Sequence, residues 1–149
     1  MADSNILEIA RLRAQKFGLP YAGALTPQEA YELMRQNDKA KLIDVRSQAE
    51  LDFVGRVPGA VEIVWKSYPG MQSNPRFLDE LQRLAPKDAL VMFICRSGAR
   101  SHDSAMVAAQ AGYVSAYNVL EGFEGDRDGE GHRNTVGGWR AAGLPWVQS

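Results

Sequence analysis

The feature that most constrains the fold is an apolar run, Ala89-Leu90-Val91-Met92-Phe93-Ile94, which ends at Cys95. A run of this length without polar residues predicts a strand buried on both faces, as in the centre of a parallel sheet. A helical pattern follows over residues 101–111 and ends at Gly112. The sequence therefore predicts a strand, a short turn and a helix, with Cys95 at the carboxyl end of the strand.

Strands and helices alternate along the rest of the chain. Thr26-Pro27-Gln28-Glu29 predicts a helix start, because it combines an N-cap, a first-turn proline and a capping-box glutamate. Asn74-Pro75 predicts the start of another helix. Periodicity predicts further helices at residues 6–17 and 48–53, and strands at residues 41–46, 60–65 and 116–120. This alternation predicts an α/β fold: an open, mainly parallel sheet with helices on both faces and ligands at the carboxyl ends of its strands.

Length and charge narrow the function classes. The chain has 149 residues, which suits one domain, and we expect an N-terminal helical extension over residues 1–20 before a domain over residues 21–149. A formal charge of -1 provides no overall field to attract nucleic acid or an anionic membrane. The N-terminus lacks the apolar run of a secretory signal, and no stretch reaches the roughly 20 apolar residues of a membrane span. We therefore expect a cytoplasmic protein without a nucleic-acid or membrane partner.

Cys95 and two histidines are the whole supply of thiol and imidazole metal ligands. A single cysteine excludes an internal disulfide and a multi-cysteine metal site. Asp126, Asp128 and Glu130 alternate like calcium ligands, but Gly129 and the missing distal glutamate break the spacing of a calcium-binding loop. We expect a solvated acidic loop there, and neither a metal nor another cofactor.

The turn Cys95-Arg96-Ser97-Gly98-Ala99-Arg100-Ser101, called the Cys95 loop below, carries the most specific chemistry. Gly98 lets the turn curl so that backbone N–H groups point inward, and the following helix adds the positive end of its dipole. These amides and the cations Arg96 and Arg100 are expected to favour the reactive thiolate of Cys95 and to attract an anionic substrate. The alternatives are an inert buried thiol and solvated arginines. The flanking arginines and glycine favour the reactive interpretation.

Several segments together match the sequence pattern of one known protein family. Leu42-Ile43-Asp44-Val45-Arg46 followed by Glu50 resembles the family's strand-and-helix signature. Gly55-Arg56-Val57-Pro58-Gly59-Ala60 resembles its Gly-His-Ile-Pro-Gly-Ala turn, with Arg56 in place of the histidine. The Cys95 loop matches a common form of the active-site loop, residues 112–125 fit the last strand, and residues 138–145 resemble a frequent ending. In these segments the chain resembles the rhodanese family of sulfurtransferases, and the resemblance spans about residues 21–146.

This resemblance implies a sulfur relay without a cofactor. Cys95 would attack the sulfane sulfur of a small anionic donor such as thiosulfate, release sulfite and become a persulfide. An external acceptor would then remove the sulfur, and cyanide, a small thiol or a cysteine of a partner protein are the options. The residues that would bind the substrate are Arg96, Ser97, Gly98, Ala99, Arg100 and Ser101.

The resemblance also implies supporting residues near the loop. Asp44 and Arg46 would belong to the floor of the site, although a structural ion pair or a helix cap is the favoured interpretation. Trp65 and Tyr68 could wall the pocket, and Phe123 carries the same ambiguity, because aromatic packing in the core is the default. Residues 122–138 are expected to form a long surface excursion.

Three rival functions stay open at this point. The first rival is a phosphatase, since the cell-cycle phosphatases share the rhodanese fold and have five residues between the cysteine and the arginine of their loop. Four residues separate Cys95 from Arg100, and this shorter loop should fit a sulfur atom better than a phosphoryl group. A non-catalytic interaction module commonly loses the cysteine that this chain retains. His102 could form a Cys–His pair as in cysteine hydrolases, but a surface position is more typical of a histidine in a first helical turn. A persulfide carrier for a protein partner stays within the sulfurtransferase class.

Overall fold

The computed structural model describes residues 2–67 and 70–148. In chain order its elements are α1 (Ala2–Phe17), β1 (Gly23–Leu25), α2 (Pro27–Gln36), β2 (Ala40–Asp44), α3 (Gln48–Phe53), β3 (Val61–Glu62), β4 (Lys66–Ser67), β5 (Gln72–Ser73), α4 (Phe77–Leu84), β6 (Leu90–Ile94), α5 (Ala99–Gln110) and β7 (Ala116–Val119). Five strands form one sheet in the order β1-β7-β6-β2-β3, and every neighbouring pair is parallel. Strands β4 and β5 form a separate antiparallel pair.

Helices cover both faces of this sheet, which confirms the predicted α/β fold. Alternate residues of the central strand β6 enter two different cores. Val91 and Phe93 pack with Phe77 of α4 and with α5 on one face. Met92 and Ile94 pack with α1 and α2 on the other face. Strand β6 is therefore buried on both faces. Its carboxyl end lies at the edge of the sheet where the carboxyl ends of all the parallel strands meet, and the Cys95 loop begins there.

Several element boundaries differ from the sequence prediction, each for a local reason. The strand predicted at residues 41–46 ends at Asp44, whose carboxylate accepts the backbone N–H of Arg46 and turns the chain. The strand predicted at residues 60–65 was too long, since Val61–Glu62 alone pairs with β2. Asn74 was expected to cap a helix directly, but it accepts the Arg76 N–H in a preceding turn, and α4 begins at Phe77.

The N-terminal helix α1 is fixed to the sheet by close contact and by an ion pair. A side chain at Gly23 would come within 2.7 Å of the Ala10 backbone, so glycine permits this approach. Arg13 donates to Glu29 of α2 at 2.6 Å and to the Ala24 carbonyl at 2.9 Å. The boundary predicted at residue 20, between an extension and a domain, stays a prediction. Within the described residues, no helix is long and apolar enough to cross a membrane.

Candidate active site

Cys95 lies directly after β6, at the carboxyl edge of the sheet, and is 1% exposed. The next residues turn into α5, which begins at Ala99 rather than at the predicted Ser101. Gly98 makes this turn with φ of +115°, a conformation that favours glycine, and its N–H donates to Cys95 Sγ at 3.1 Å. The sulfur therefore lies beside the amino end of a helix, where the helix dipole favours negative charge.

A hydroxyl and an amide complete the polar contacts behind the sulfur. Ser101 Oγ lies 3.3 Å from Cys95 Sγ and donates to Asn118 Oδ1 at 2.5 Å. The Asn118 amide nitrogen donates to the Gly98 carbonyl at 3.3 Å, and this fixes the amide orientation, because a carbonyl can only accept. Ser101 Oγ therefore accepts a hydrogen bond from the neutral Cys95 thiol while its own hydroxyl donates to Asn118 Oδ1. If the sulfur is ionised, the same hydroxyl can turn and donate to it.

Arg100 closes the loop by an ion pair with Glu50. Its two terminal nitrogens donate to the two Glu50 oxygens at 2.7 and 2.8 Å. Ser47 also donates to Glu50, through its N–H at 3.1 Å and its hydroxyl at 2.9 Å. Burial raises the pKa of Glu50, but the hydrogen bonds and charge of Arg100 and the Ser47 hydrogen bonds outweigh burial and hold the pKa at about 2. The charge of Arg100, expected to act on the sulfur and its ligand, is thus largely offset by a carboxylate.

Asp44 and Arg46 form the ion pair that was the favoured interpretation of these two residues. Both side chains are fully buried, and the Arg46 guanidinium donates to the Asp44 carboxylate at 2.8–3.2 Å. The same guanidinium donates to the Gly55 carbonyl at 2.8 Å and lies 4.1 Å from the centroid of the Phe123 ring. The pair therefore joins the end of β2 to the segment behind the Cys95 loop, and Phe123 acts as a packing residue.

The start of the expected surface excursion is buried against the Cys95 loop. Phe123 N–H donates to the Cys95 carbonyl at 2.8 Å, and Glu124 N–H donates to the Arg96 carbonyl at 2.9 Å. A side chain at Gly122 would meet the Cys95 and Arg96 backbone at 2.6 Å. The prediction that all of residues 122–138 run over the surface was therefore wrong at its beginning, because this segment supplies the hydrogen bonds that hold the loop.

The other predicted site residues occupy different surroundings. Arg96 and Ser97 are half-buried, and Ala99 is exposed at the start of α5. The Arg96 Nε is buried without a hydrogen-bond partner among the described residues. Trp65 is half-buried and packs edge-to-face on Phe77, with ring centroids 4.9 Å apart, in contact with the core cluster that includes Cys95. Tyr68 lies outside the described residues.

His102 was expected at the surface, but the structure buries it by half and engages it elsewhere. Its Nδ1 lies 2.7 Å from the hydroxyl of Tyr21. The two rings pack edge-to-face with centroids 5.3 Å apart. On this helix Ser101, not His102, lies within hydrogen-bonding distance of Cys95. The geometry therefore gives no support to the Cys–His pair that a cysteine hydrolase requires.

Two residues important to this arrangement were not identified as site residues from the sequence. Glu50 was noted as part of a family signature, and the Ser47-x-x-Glu50 capping-box spacing marks its helix start. The spacing gives no sign that Arg100 would be its partner. Asn118 lies in β7 opposite Phe93 of β6, and this parallel register brings its amide to the Cys95 loop.

Comparison with known proteins identifies the family. The model of the Rhodanese-like domain matches residues 26–127. A crystal structure of Rv0390 from M. tuberculosis has a TM-score of 0.79 and 46% identity, and the match covers 87% of this chain and 99% of that one. An uncharacterized protein of Rickettsia prowazekii is 34% identical over 122 residues, which cover 79% of this chain and 91% of its own.

A relative with an assigned activity is also similar. The thiosulfate sulfurtransferase GlpE of Glaesserella parasuis is 34% identical over 101 residues, covering 68% of this chain and 82% of its own. The family match, the parallel sheet and the cysteine loop at its carboxyl edge agree with one another. The chain therefore belongs to the rhodanese-like family, which includes thiosulfate sulfurtransferases.

Proposed function

We propose that this protein is a sulfurtransferase that carries sulfane sulfur from thiosulfate, or a similar small anionic donor, to a nucleophilic acceptor through a persulfide on Cys95. The observation that carries the proposal is the placement of Cys95 Sγ at the amino end of α5. There the Gly98 N–H and the Ser101 hydroxyl lie at 3.1 and 3.3 Å from it. Groups of this kind stabilise negative charge on sulfur, which both the thiolate and the persulfide carry.

The first step loads the cysteine. The Cys95 thiolate attacks the outer sulfur of thiosulfate, a new S–S bond forms, and the old S–S bond breaks with its electron pair leaving on sulfite. The negative charge then lies on the outer sulfur of the persulfide. The Ser101 hydroxyl, released from Asn118, would donate to the anionic sulfur in this step.

The second step returns the cysteine to its starting form. With cyanide, the carbon attacks the outer sulfur, the S–S bond breaks, and thiocyanate leaves while the electron pair stays on Cys95. Because the chain has one cysteine, the acceptor must come from outside the chain, as cyanide, a small thiol or the cysteine of a partner protein. The cytoplasmic location expected from the sequence belongs to this proposal, since small thiols are abundant in that compartment.

Two further uses of the same fold are distinguishable. A persulfide carrier that serves a protein partner would load with sulfur but discharge slowly to cyanide. A phosphatase is disfavoured by the short loop and because Arg100, the residue that would clamp a phosphoryl group, has its terminal nitrogens on Glu50.

The experiment that tests the proposal is steady-state formation of thiocyanate from thiosulfate and cyanide, with Cys95→Ser as the matched variant. We expect turnover in the wild type and none above background in Cys95→Ser. Hydrolysis of a small aryl phosphate is measured beside it. Phosphate release that requires Cys95, together with absent thiocyanate, would overturn the proposal.

A further inference from the structure

We infer that a polar groove beside the Cys95 loop is an acceptor site that selects small thiols carrying carboxylates; this inference rests on the proposed sulfurtransferase function. The groove has a volume of about 540 Å³ and is lined by Ser97 of the Cys95 loop and by residues of the segment 126–133. Ser97 lies two positions after the nucleophile and next to Gly98, whose N–H contacts the sulfur. A molecule held in this groove is therefore next to the loop that would carry the persulfide.

The wall formed by residues 126–133 is held in a defined conformation. Asp128 Oδ1 accepts the N–H groups of Glu130 and His132, each at 2.9 Å, and Asp128 Oδ2 accepts the Thr135 hydroxyl at 2.8 Å. These hydrogen bonds lower the pKa of Asp128, so its carboxylate stays ionised, but both of its oxygens are occupied by donors of its own turn. Asp128 therefore builds the wall and keeps its negative charge, but its oxygens are already occupied by these hydrogen bonds.

The hydrogen-bonding groups that remain free in the groove favour an anionic ligand. Arg133 donates through one terminal nitrogen to the Gly125 carbonyl at 2.7 Å, which fixes its guanidinium at the groove. Arg127 is exposed and makes no hydrogen bond or ion pair within the described residues. Asp126 and Asp128 balance the formal charge of these two arginines, but the Asp128 oxygens already accept hydrogen bonds. The N–H groups that the two guanidinium groups can still donate face one carboxylate with free oxygens, that of Asp126, so a ligand that accepts hydrogen bonds through carboxylates is the better fit.

The wall is also connected directly to the nucleophile. The residues just before the wall bond to the Cys95 loop: the Phe123 N–H donates to the Cys95 carbonyl, and the Glu124 N–H donates to the Arg96 carbonyl. Gly125 packs against the Gly137 backbone so closely that a side chain would not fit, which anchors the segment on its other side. Hydrogen bonds and close packing therefore join the wall of the groove to the Cys95 loop.

The chemical step at this site is a thiol–persulfide exchange. The sulfur of the acceptor thiol attacks the outer sulfur of the anionic Cys95 persulfide, and the thiol proton moves to that outer sulfur. A new S–S bond forms, and the old S–S bond breaks with its electron pair on Cys95. The outer sulfur leaves with its proton as the persulfide of the acceptor. Arg127 and Arg133 bind the carboxylates of the acceptor and take no part in bond making.

The test measures discharge of preloaded persulfide by three thiols that differ in charge: mercaptosuccinate, uncharged 2-mercaptoethanol and cationic cysteamine. The ratio of wild type to Arg127→Gln is taken for each thiol, so the intrinsic reactivity of the thiol cancels. We expect Arg127→Gln to slow discharge to mercaptosuccinate about fivefold at low salt, the upper range for one exposed ion pair, and to leave 2-mercaptoethanol unchanged. Asp126→Asn should act in the opposite direction on mercaptosuccinate, and Arg83→Gln, outside the groove, should change nothing.

A second readout separates the groove from the sulfur chemistry. Succinate is titrated into the full chain and into Cys95→Ser, and the amide NMR signals of Ser97, Gly129 and Gly131 are followed. Salt-sensitive shifts that are lost in Arg127→Gln support the anion site. If these shifts occur but no persulfide forms, the proposed function fails and the site stands. Absent shifts, or equal slowing of all three thiols by Arg127→Gln, would overturn the inference.

Discussion

Replacement of Glu50 by glutamine tests the ion pair that closes the Cys95 loop. The Glu50 carboxyl has an ordinary pKa of 4.5 and a pKa of about 2 in the folded protein. At about 1.4 kcal/mol per pH unit, this difference corresponds to roughly 3 kcal/mol of stability. Loss of one partner from a buried pair typically costs about 3–5 kcal/mol, because the remaining charge is left uncompensated. We expect Glu50→Gln to lower the free energy of unfolding by about 3 kcal/mol at pH 7, and Tm by roughly 6–12 °C.

The pH dependence has a definite sign. Because folding lowers the pKa of Glu50, its stabilisation is complete above pH 4.5 and is lost as the pH falls towards about 2. Urea unfolding of the wild type and of Glu50→Gln should therefore differ most at pH 7 and converge across that interval. Glu32→Gln is the matched control, since the Glu32–Arg35 pair is exposed and should contribute about 1 kcal/mol or less. A Glu50→Gln effect as small as this control, or a difference that does not change with pH, would refute the reasoning.

Three further changes probe the surroundings of the sulfur. Ser101→Ala should slow loading by thiosulfate roughly 10- to 150-fold, because a hydrogen bond to a charged group contributes about 1.5–3 kcal/mol. An unchanged single-turnover rate would show that the hydroxyl does not assist. Arg46→Met should lower the free energy of unfolding by about 3–5 kcal/mol, since Asp44 would be left buried without its partner; urea titration measures this, and a near-neutral result contradicts it. Gly122→Ala should lower the free energy of unfolding by about 2 kcal/mol or more, measured by thermal unfolding. Gly131→Ala is the control and should cost about 1 kcal/mol, because Gly131 also has a positive φ but open space around it; equal costs would contradict close packing of Gly122 against the Cys95 loop.

The sequence was most informative where the structure is local. The apolar run before Cys95, the glycine in the turn and the helix after it lie within about twenty residues, and each has its own pattern. The capping box at Thr26 and Glu29 formed as predicted, because its hydrogen bonds span three residues. These local signals were sufficient to predict the fold and to place Cys95 at the carboxyl edge of the sheet.

Interactions between distant segments were not predictable from those patterns. Glu50 and Arg100 are fifty residues apart, and their pairing depends on how α3 and α5 pack across the sheet edge. The position of Asn118 depends on the register of β7 against β6. The glycines of residues 122–138 indicated only a loop in the sequence. In the structure Gly122 and Gly125 are required, because backbone from another segment occupies the space that a side chain would need.

The central claim is that Cys95 carries sulfur, and intact-mass spectrometry tests it most directly. The purified protein is weighed before and after incubation with thiosulfate, beside Cys95→Ser, and again after addition of cyanide. We expect a gain of one sulfur atom in the wild type, no gain in Cys95→Ser, and loss of the added sulfur on cyanide treatment. An unchanged mass with thiosulfate and with other persulfide donors would contradict the claim.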